Sequence, residues 1–315
     1  MRISVTDRCN MRCTYCMPAE GFDSVAHANI LTYEEILRIV RISSQIGVKK
    51  FRITGGEPLV RRGIVELVKE MNSIDGVETT FTTNGLLLEE MAESLKGAGV
   101  KRLNISIDSL KRERFHKITL TDKLDKVLRG IEKAHEVGFN PIKLNVVAIK
   151  GFNDDEIMDF VALAKDRPYH VRFIEFMPMR ENSWDRDQFM ACDEIEGVIK
   201  NNLPQPLIAV HEKNSPSRDY SIDGYAGRIG LISPVSRHFC DSCNRIRLTS
   251  DGHIKSCLLR EGEEDIKTAM RKGATDEEVK FLISRAVILK GAGHSLGDSE
   301  TPLENADRPM TQIGG

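Results

Sequence analysis

The feature that most restricts the fold is an alternation. Six runs rich in β-branched and aromatic residues (Arg2 to Thr6, Lys49 to Gly56, Val77 to Asn84, Arg102 to Asp108, Ile142 to Ile149, Val171 to Met177) are separated by amphipathic stretches. Strand and helix in strict turn require parallel strands joined by right-handed crossovers, which leaves a doubly wound sheet or a barrel. About 200 residues for six units fall short of the ~250 of a closed eight-unit barrel. An α/β fold built as a partial (βα)6 TIM-like barrel is therefore expected. Helix starts are legible as well: Thr32 and Glu35 form a capping box ahead of Ile36, Ile39 and Val40, and Gly47 stops that helix. Asn153 with Glu156, ahead of Ile157, Phe160, Val161 and Ala164, reads as the same device.

After about Pro206 the alternation ends. The stretch PQPLIAVHEKNSPSRDYSIDGYAGR reads as loop, RIGLIS and RIRLTSDGHIKSC as antiparallel strands, the latter a hairpin turning at Asp251-Gly252, and Glu264 to Lys290 as helix. The chain is accordingly divided into residues 1–210, the partial barrel, and residues 211–315, a C-terminal unit of antiparallel β-structure plus helix.

A formal net charge of -2 argues against a general nucleic-acid-binding surface, so any anionic ligand has to be held by a local group of Arg and Lys. No apolar run approaches the ~20 residues that span a bilayer, and no signal peptide precedes the first cysteine. A cytoplasmic protein is expected. In a reducing compartment seven cysteines are metal ligands more readily than disulfides, and they fall into two groups of three with Cys192 left over as a small core residue.

The first group, Cys9, Cys13 and Cys16, follows the first strand directly and so lies at the C-terminal mouth of the sheet, where βα proteins place their chemistry. A zinc ion takes four donors, and C-x3-C-x2-C offers three with no nearby fourth. An iron-sulfur cluster with three protein ligands keeps one iron open. The second group, Cys240, Cys243 and Cys257, is again a trio. Here His238 or His253 would complete a Cys3His zinc set, so zinc and a cluster both stand.

Cations complete the pattern. Arg245 and Arg247 alternate, and Arg2, Arg52, Lys143 and Arg172 share the period of two that turns side chains into a barrel lumen. An unpaired desolvated ion costs several kcal/mol, so these groups need partners. Phosphate oxygens are one answer, since the guanidinium fork meets them in pairs. Ion pairs with Glu175 or Asp108 are the other.

C-x3-C-x2-C with an aromatic residue, Tyr15, between its last two cysteines resembles the signature of the radical S-adenosylmethionine (SAM) enzymes. The resemblance continues through SVTDRCNMRCTYCMP, RITGGEPLVRR, TTNGLLL, NISID, RFIEFMP and FCDSCNRIRLTSDG to the terminal glycines. It implies the radical SAM form of the partial barrel, with a C-terminal segment that binds a second cluster. It also implies a [4Fe-4S] cluster on Cys9, Cys13 and Cys16 whose open iron is chelated by SAM, and SAM contacts from Tyr15, Gly56, Glu57 (to its ammonium), Ser106 and Met177. Cys240, Cys243 and Cys257 would carry the second [4Fe-4S] cluster. Within the family the similarity is to members acting on GTP, which places Arg2, Arg52, Thr82, Lys143, Arg245, Ile246 and Arg247 on the nucleotide, with Lys50, Arg172, Gly314 and Gly315 as further contacts. The implied reaction is reductive SAM cleavage to a 5′-deoxyadenosyl radical that takes the C3′ hydrogen of GTP, giving (8S)-3′,8-cyclo-7,8-dihydroguanosine 5′-triphosphate in the first step of molybdenum cofactor biosynthesis. Implied partners are an electron donor and, downstream, cyclic pyranopterin monophosphate synthase, for a monomer or homodimer. A radical enzyme acting on a peptide and an iron-sulfur redox module are the competing readings. The chain starts one residue before Arg2, where family members generally carry a leading segment, so a weakened fit of the first strand is also expected.

Overall fold

The computed structural model describes residues 1–179, 185–212, 215–260, 262–291, 293, 308 and 310–314. In chain order the elements are β1 (Arg2–Ser4), α1 (Tyr33–Gln45), β2 (Lys50–Thr54), α2 (Ile64–Asn72), β3 (Glu78–Thr83), α3 (Leu88–Gly97), β4 (Arg102–Ser106), α4 (Arg112–Thr119), α5 (Leu124–Glu136) and β5 (Ile142–Ala148). They continue with α6 (Ile157–Asp166), β6 (Tyr169–Glu175), α7 (Cys192–Asn202), β7 (Leu207–Val210), β8 (Ser217–Ile222), β9 (Arg228–Ile232), β10 (Arg247–Leu248), β11 (His253–Lys255), β12 (Glu263–Asp265), α8 (Ile266–Arg271), α9 (Asp276–Ile288) and α10 (Met310–Ile313).

All twelve strands form one sheet, in the order β12-β11-β10-β1-β2-β3-β4-β5-β6-β9-β8-β7. The six expected strands are present, parallel and in sequence order. In a flat sheet β1 and β6 would stand five strand spacings, about 24 Å, apart. Arg2 on β1 nevertheless lies within the field of Arg172 on β6, so the sheet curls until its ends approach. One face of the curl is apolar and covered by helices: along β5, Ile142, Leu144, Val146 and Ala148 are buried there, whereas Lys143 and Asn145 turn to the inner face. Phe51, Phe81 and Phe173 fill the outer layer beside Phe160 of α6. Outer burial stabilises the sheet and frees its inner face for polar groups.

Three expectations are corrected. The strands near the C-terminus are not simply antiparallel: β10 joins β1 and β9 joins β6 in parallel, and antiparallel pairing begins only one strand further out. The stretch read as loop contains β7 and β8, a hairpin whose pairing with β9 outweighs its Asn, Ser and Pro content. Asn153 is not a helix cap; its Oδ1 accepts from the Ile149 amide and its Nδ2 donates to the Asp108 and Val147 carbonyls, while α6 opens from a 3-10 turn, Asp154–Glu156. Thr32 and Glu35 do form the capping box, with bonds of 3.2 and 2.8 Å. The Asp251-Gly252 turn joins β10 to β11, and the C-terminal helical stretch breaks into α8 and α9 at Gly273. Cys192 is buried at the start of α7, its thiol donating to the Ile232 carbonyl and pushed up to about 12 by burial. The Met1 carbonyl accepts from the Arg52 amide at 2.9 Å, extending the β1–β2 pairing by one residue. Among the described residues no helix is long and apolar enough to cross a membrane.

Gly230 of β9 is where the absence of a side chain matters. His170 on β6 reaches Asp219 on β8 across it, Nε2 to Oδ1 at 3.1 Å, and a Cβ there would lie 2.8 Å from both atoms. Gly230→Ala is expected to lower stability by about 1–3 kcal/mol by overpacking. Urea unfolding with an unchanged m value checks this, and a loss below about 0.5 kcal/mol would mean that the two side chains yield.

Candidate functional site

The inner face is built by register. Arg247, Arg2, Arg52 and Thr80 are lateral neighbours across β10, β1, β2 and β3, and Thr82, Asn104, Lys143 and His170 form another row across β3 to β6. In parallel strands, residues in register point the same way, so both rows face the lumen. Burial and then neighbouring guanidinium groups push Arg2 well below its ordinary value, Arg52 to about 9 and Arg247 to about 10. Arg245 is lowered chiefly by burial. Burial, followed by the charge of Arg172, brings Lys143 to about 8. Burial likewise takes Arg172 to about 10; its Nη2 donates to Asn104 Oδ1 at 2.7 Å and its Nε to Asn145 Oδ1 at 3.0 Å.

Neither carboxylate considered as a partner is used for pairing. Glu175 accepts from the Cys192, Val235 and Ser236 amides, and Asp108 from the Tyr15 hydroxyl and the Val147 amide. Among the described residues no ion pair joins Arg2, Arg52, Lys143, Arg172, Arg245 or Arg247 to a carboxylate. Thr82 Oγ1 faces the same space, buried and without a hydrogen-bond partner. Lys50 stands two residues before Arg52 at the exposed end of β2. Arg245 precedes the two-residue β10 rather than lying on it; its guanidinium stacks 5.0 Å from the Phe239 ring and still contributes to the field at Arg52. Ile246 acts through its backbone, its carbonyl accepting from the Arg2 amide at 2.8 Å. The C-terminal segment reaches this ring, because Arg247 Nη1 donates to the carbonyls of Gly314 and of Ile313, the latter at 3.3 Å. Gly315 lies outside the described residues.

Cys9, Cys13 and Cys16 sit on the loop after β1. The loop is pinned to the end of α4 by Arg12 and Thr14 amides donating to the Thr119 and Ile118 carbonyls. Burial, then the charges of the other cysteines and Asp108, raises Cys13 and Cys16, and burial raises Cys9. Thiols on one loop that burial and mutual charge hold back from ionising would need a cationic centre to become thiolates together. Gly55 and Gly56 are needed where the chain packs against itself. A Cβ on Gly56 would lie 2.6 Å from the Arg8 carbonyl carbon, so the glycines let the chain's own cysteine loop pack on β2. The Gly56 and Glu57 amides bind the Thr6 and Arg8 carbonyls there.

Glu57 is 1% exposed and accepts from Leu59 N, Thr83 Oγ1 and Asn84 N at 3.0, 2.8 and 2.7 Å. Burial lifts it to about 7 despite these bonds, the state of a carboxylate that lacks a cation. The Tyr15 hydroxyl donates to Asp108 at 2.6 Å. Ser106 ends β4 opposite Asn145. Met177 packs against Met179 and Leu259, a cluster that Cys257 of the second trio also joins.

In that trio Cys243 is shifted the other way. Burial opposes ionisation of Cys243, but the Arg245 amide and Lys290 prevail and lower it; Lys290 Nζ lies 3.2 Å from Cys243 Sγ and donates to the Cys243 and Arg245 carbonyls. Cys243 and Cys257 both act on Arg247. His253, considered as a zinc ligand, is turned to Asp251 and Arg308 instead. Among the described residues no three His, Cys, Asp or Glu groups converge on one ion position. Sequence reasoning missed Asn104 and Asn145, which the same alternation that picked out Lys143 marks as inward. It also missed Lys290, for which no local signal exists.

The profile of the Radical SAM superfamily matches residues 3–164, and that of Molybdenum Cofactor Synthesis C matches residues 169–296. A GTP 3′,8-cyclase of Alkaliphilus oremlandii (strain OhILAs) is 49% identical over 318 residues, covering 100% of this chain and 97% of the relative. Another, of Syntrophomonas wolfei subsp. wolfei, is 47% identical over 320 residues with the same coverage, 100% and 97%. Among solved structures, Streptococcus suis SuiB bound to S-adenosylmethionine superposes with a TM-score of 0.63 at 14% identity, over 96% of this chain and 74% of that one. This last likeness concerns the fold.

Lys143 provides a test of the cation ring that needs no turnover. Its ammonium is present below about 8 and lost above, so binding of inorganic tripolyphosphate is expected to weaken by up to about tenfold per pH unit above that point. Lys143→Arg stays charged and should remove that slope, the titration of the probe being common to both proteins. Calorimetric titrations with the same slope in both would place Lys143 outside the anion site.

Proposed function

The chain belongs to the GTP 3′,8-cyclase family of radical SAM enzymes, and from that premise we propose that it converts GTP to (8S)-3′,8-cyclo-7,8-dihydroguanosine 5′-triphosphate, the first step of molybdenum cofactor biosynthesis. The observation that carries this reading is the ring of inward arginines with no carboxylate paired to it among the described residues. A triphosphate supplies the charge that such a ring lacks, in a shape that guanidinium groups grip in pairs.

Cys9, Cys13 and Cys16 would hold one [4Fe-4S] cluster, the one that takes SAM, and Cys240, Cys243 and Cys257 would hold a second, on the side of the substrate. When bound, that first cluster and SAM would supply the one-electron and radical chemistry that removal of the C3′ hydrogen of GTP requires. The protein's own part is placement. Glu57, short of a cation, meets the ammonium of SAM, with Tyr15, Gly56, Ser106 and Met177 around the remainder. Arg2, Arg52, Lys143, Arg245 and Arg247 hold the triphosphate, aided by Lys50 and Arg172, and Thr82 Oγ1 gives the nucleotide a hydrogen bond. The curled sheet and the C-terminal segment, with Gly314, enclose the space and exclude water and stray hydrogen donors. Residues 1–210 carry the SAM half and 211–315 the second cluster. An electron donor must deliver single electrons, and an enzyme that forms cyclic pyranopterin monophosphate would consume the product. The setting is cytoplasmic, for a monomer or homodimer.

The test is anaerobic reconstitution followed by incubation with GTP, SAM and a reductant. About eight irons and eight sulfides per chain are expected, with 5′-deoxyadenosine and the cyclised triphosphate as products. Cys16→Ala should abolish SAM cleavage, whereas Cys257→Ala should keep some uncoupled cleavage and lose GTP binding. Stoichiometric zinc at the second trio, or equal loss of cleavage in two folded variants, would overturn that division of roles.

A further inference from the structure

Arg308 belongs to none of the motifs that the proposed function uses, yet its guanidinium is surrounded. Nε donates to both oxygens of Glu263 at 2.7 and 2.9 Å, Nη1 to Asp251 Oδ2 at 2.7 Å and to Gln312 Oε1 at 3.2 Å, and Nη2 lies 3.2 Å from His253 Nδ1. The side chains of Arg308, Asp251 and Glu263 are each 16% exposed, so this is not a solvated surface pair. Of its partners, Asp251 sits on the turn after β10, His253 on β11, Glu263 on β12 and Gln312 on α10, so it ties the strands on either side of Cys257 to the last helix.

What Arg308 fastens is the segment just beyond it. A four-residue helix such as α10 has no stability alone and needs tertiary contacts to persist. Met310 packs against the Met179–Leu259 cluster that Cys257 also joins, while Thr311 and Gln312 line a cavity of about 200 Å³ with Cys9 and Arg12. The Gln312 carbonyl accepts from the Ser250 amide at 3.2 Å, and the Gly314 carbonyl accepts from Arg247. Gly314 has a φ of +74° and lies against the Thr54 side chain, where a Cβ would collide, so its place is narrow and specific. The segment therefore touches the surroundings of both cysteine trios and ends on a lumen arginine.

We propose that Arg308 is the positioning residue that docks residues 310–314 between the two cysteine trios and so sets the place of Gly314 against Arg247. The consequence for catalysis rests on the GTP reading; the docking does not. Losing the guanidinium would leave Asp251 with Thr249 and Glu263 with Lys255, so the hairpin keeps its partners and the segment is what comes free.

Hydrogen exchange read by mass spectrometry on the full chain, before cofactor loading, measures docking directly. Arg308→Ala is expected to speed exchange of the amides of 310–314 at least tenfold with β1 to β6 unchanged, Arg308→Lys to give an intermediate rate, and Glu263→Gln a smaller increase. In the reconstituted enzyme Arg308→Ala should lower kcat with GTP at least tenfold while the KM for SAM stays within twofold. Unchanged exchange in the segment, general loss of protection across the sheet, or faster exchange with unchanged kcat would each overturn the proposal. If the wild-type protein leaves GTP unchanged but segment exchange responds as expected, docking by Arg308 stands and the GTP reading falls.

Discussion

Repulsion among cations held on one side of a sheet is the constraint that the rest of this structure answers. Two unit charges 8 Å apart at an effective dielectric of about 20 repel by about 2 kcal/mol. Register alone brings Arg247, Arg2 and Arg52 side by side on adjacent strands. Among the described residues no carboxylate forms an ion pair with them, and Glu175 and Asp108 are committed to backbone amides and to Ser236 and Tyr15. The compensation lies on the other side of the sheet, where Phe51, Ile53, Phe81 and Leu103 are fully buried against the helices. An apolar outer face thus stabilises a polar inner face that is unfavourable until a polyanion enters. The net charge of -2 shows that this positive field belongs to the lumen and not to the protein as a whole.

The same sheet sets where the two thiol groups stand. Because β9 and β10 add to β6 and β1, the C-terminal part of the chain is joined to both edges of the curl. The loop with Cys240 and Cys243 enters beside β1, and the loop with Cys9, Cys13 and Cys16 leaves β1 at its other end. Their cysteines are shifted in opposite directions: burial and mutual charge raise Cys13 and Cys16, whereas Lys290 and the Arg245 amide lower Cys243. The second trio stands beside the cationic wall, since Cys243 and Cys257 both act on Arg247.

Much of this was legible in the sequence, because it depends on periods and spacings that the backbone converts directly into geometry. The alternation of strand and helix fixed six parallel strands, the Thr32–Glu35 pair fixed the start of α1, and the period of two named Arg2, Arg52, Lys143 and Arg172 as inward before any fold was seen. The spacing of Cys9, Cys13 and Cys16 put three thiols on one loop for the same local reason. What only the tertiary structure decided are matters of contact between distant residues. Asn153 obeys the local rule for a cap but lies nearer to the Asp108 and Val147 carbonyls and bonds them instead. Gly56 serves the packing of Arg8, and β8 is a strand because β9 lies beside it. Lys290 reaches Cys243 across 47 residues, and Arg308 reaches Asp251 across 57, separations at which neither propensity nor periodicity carries information.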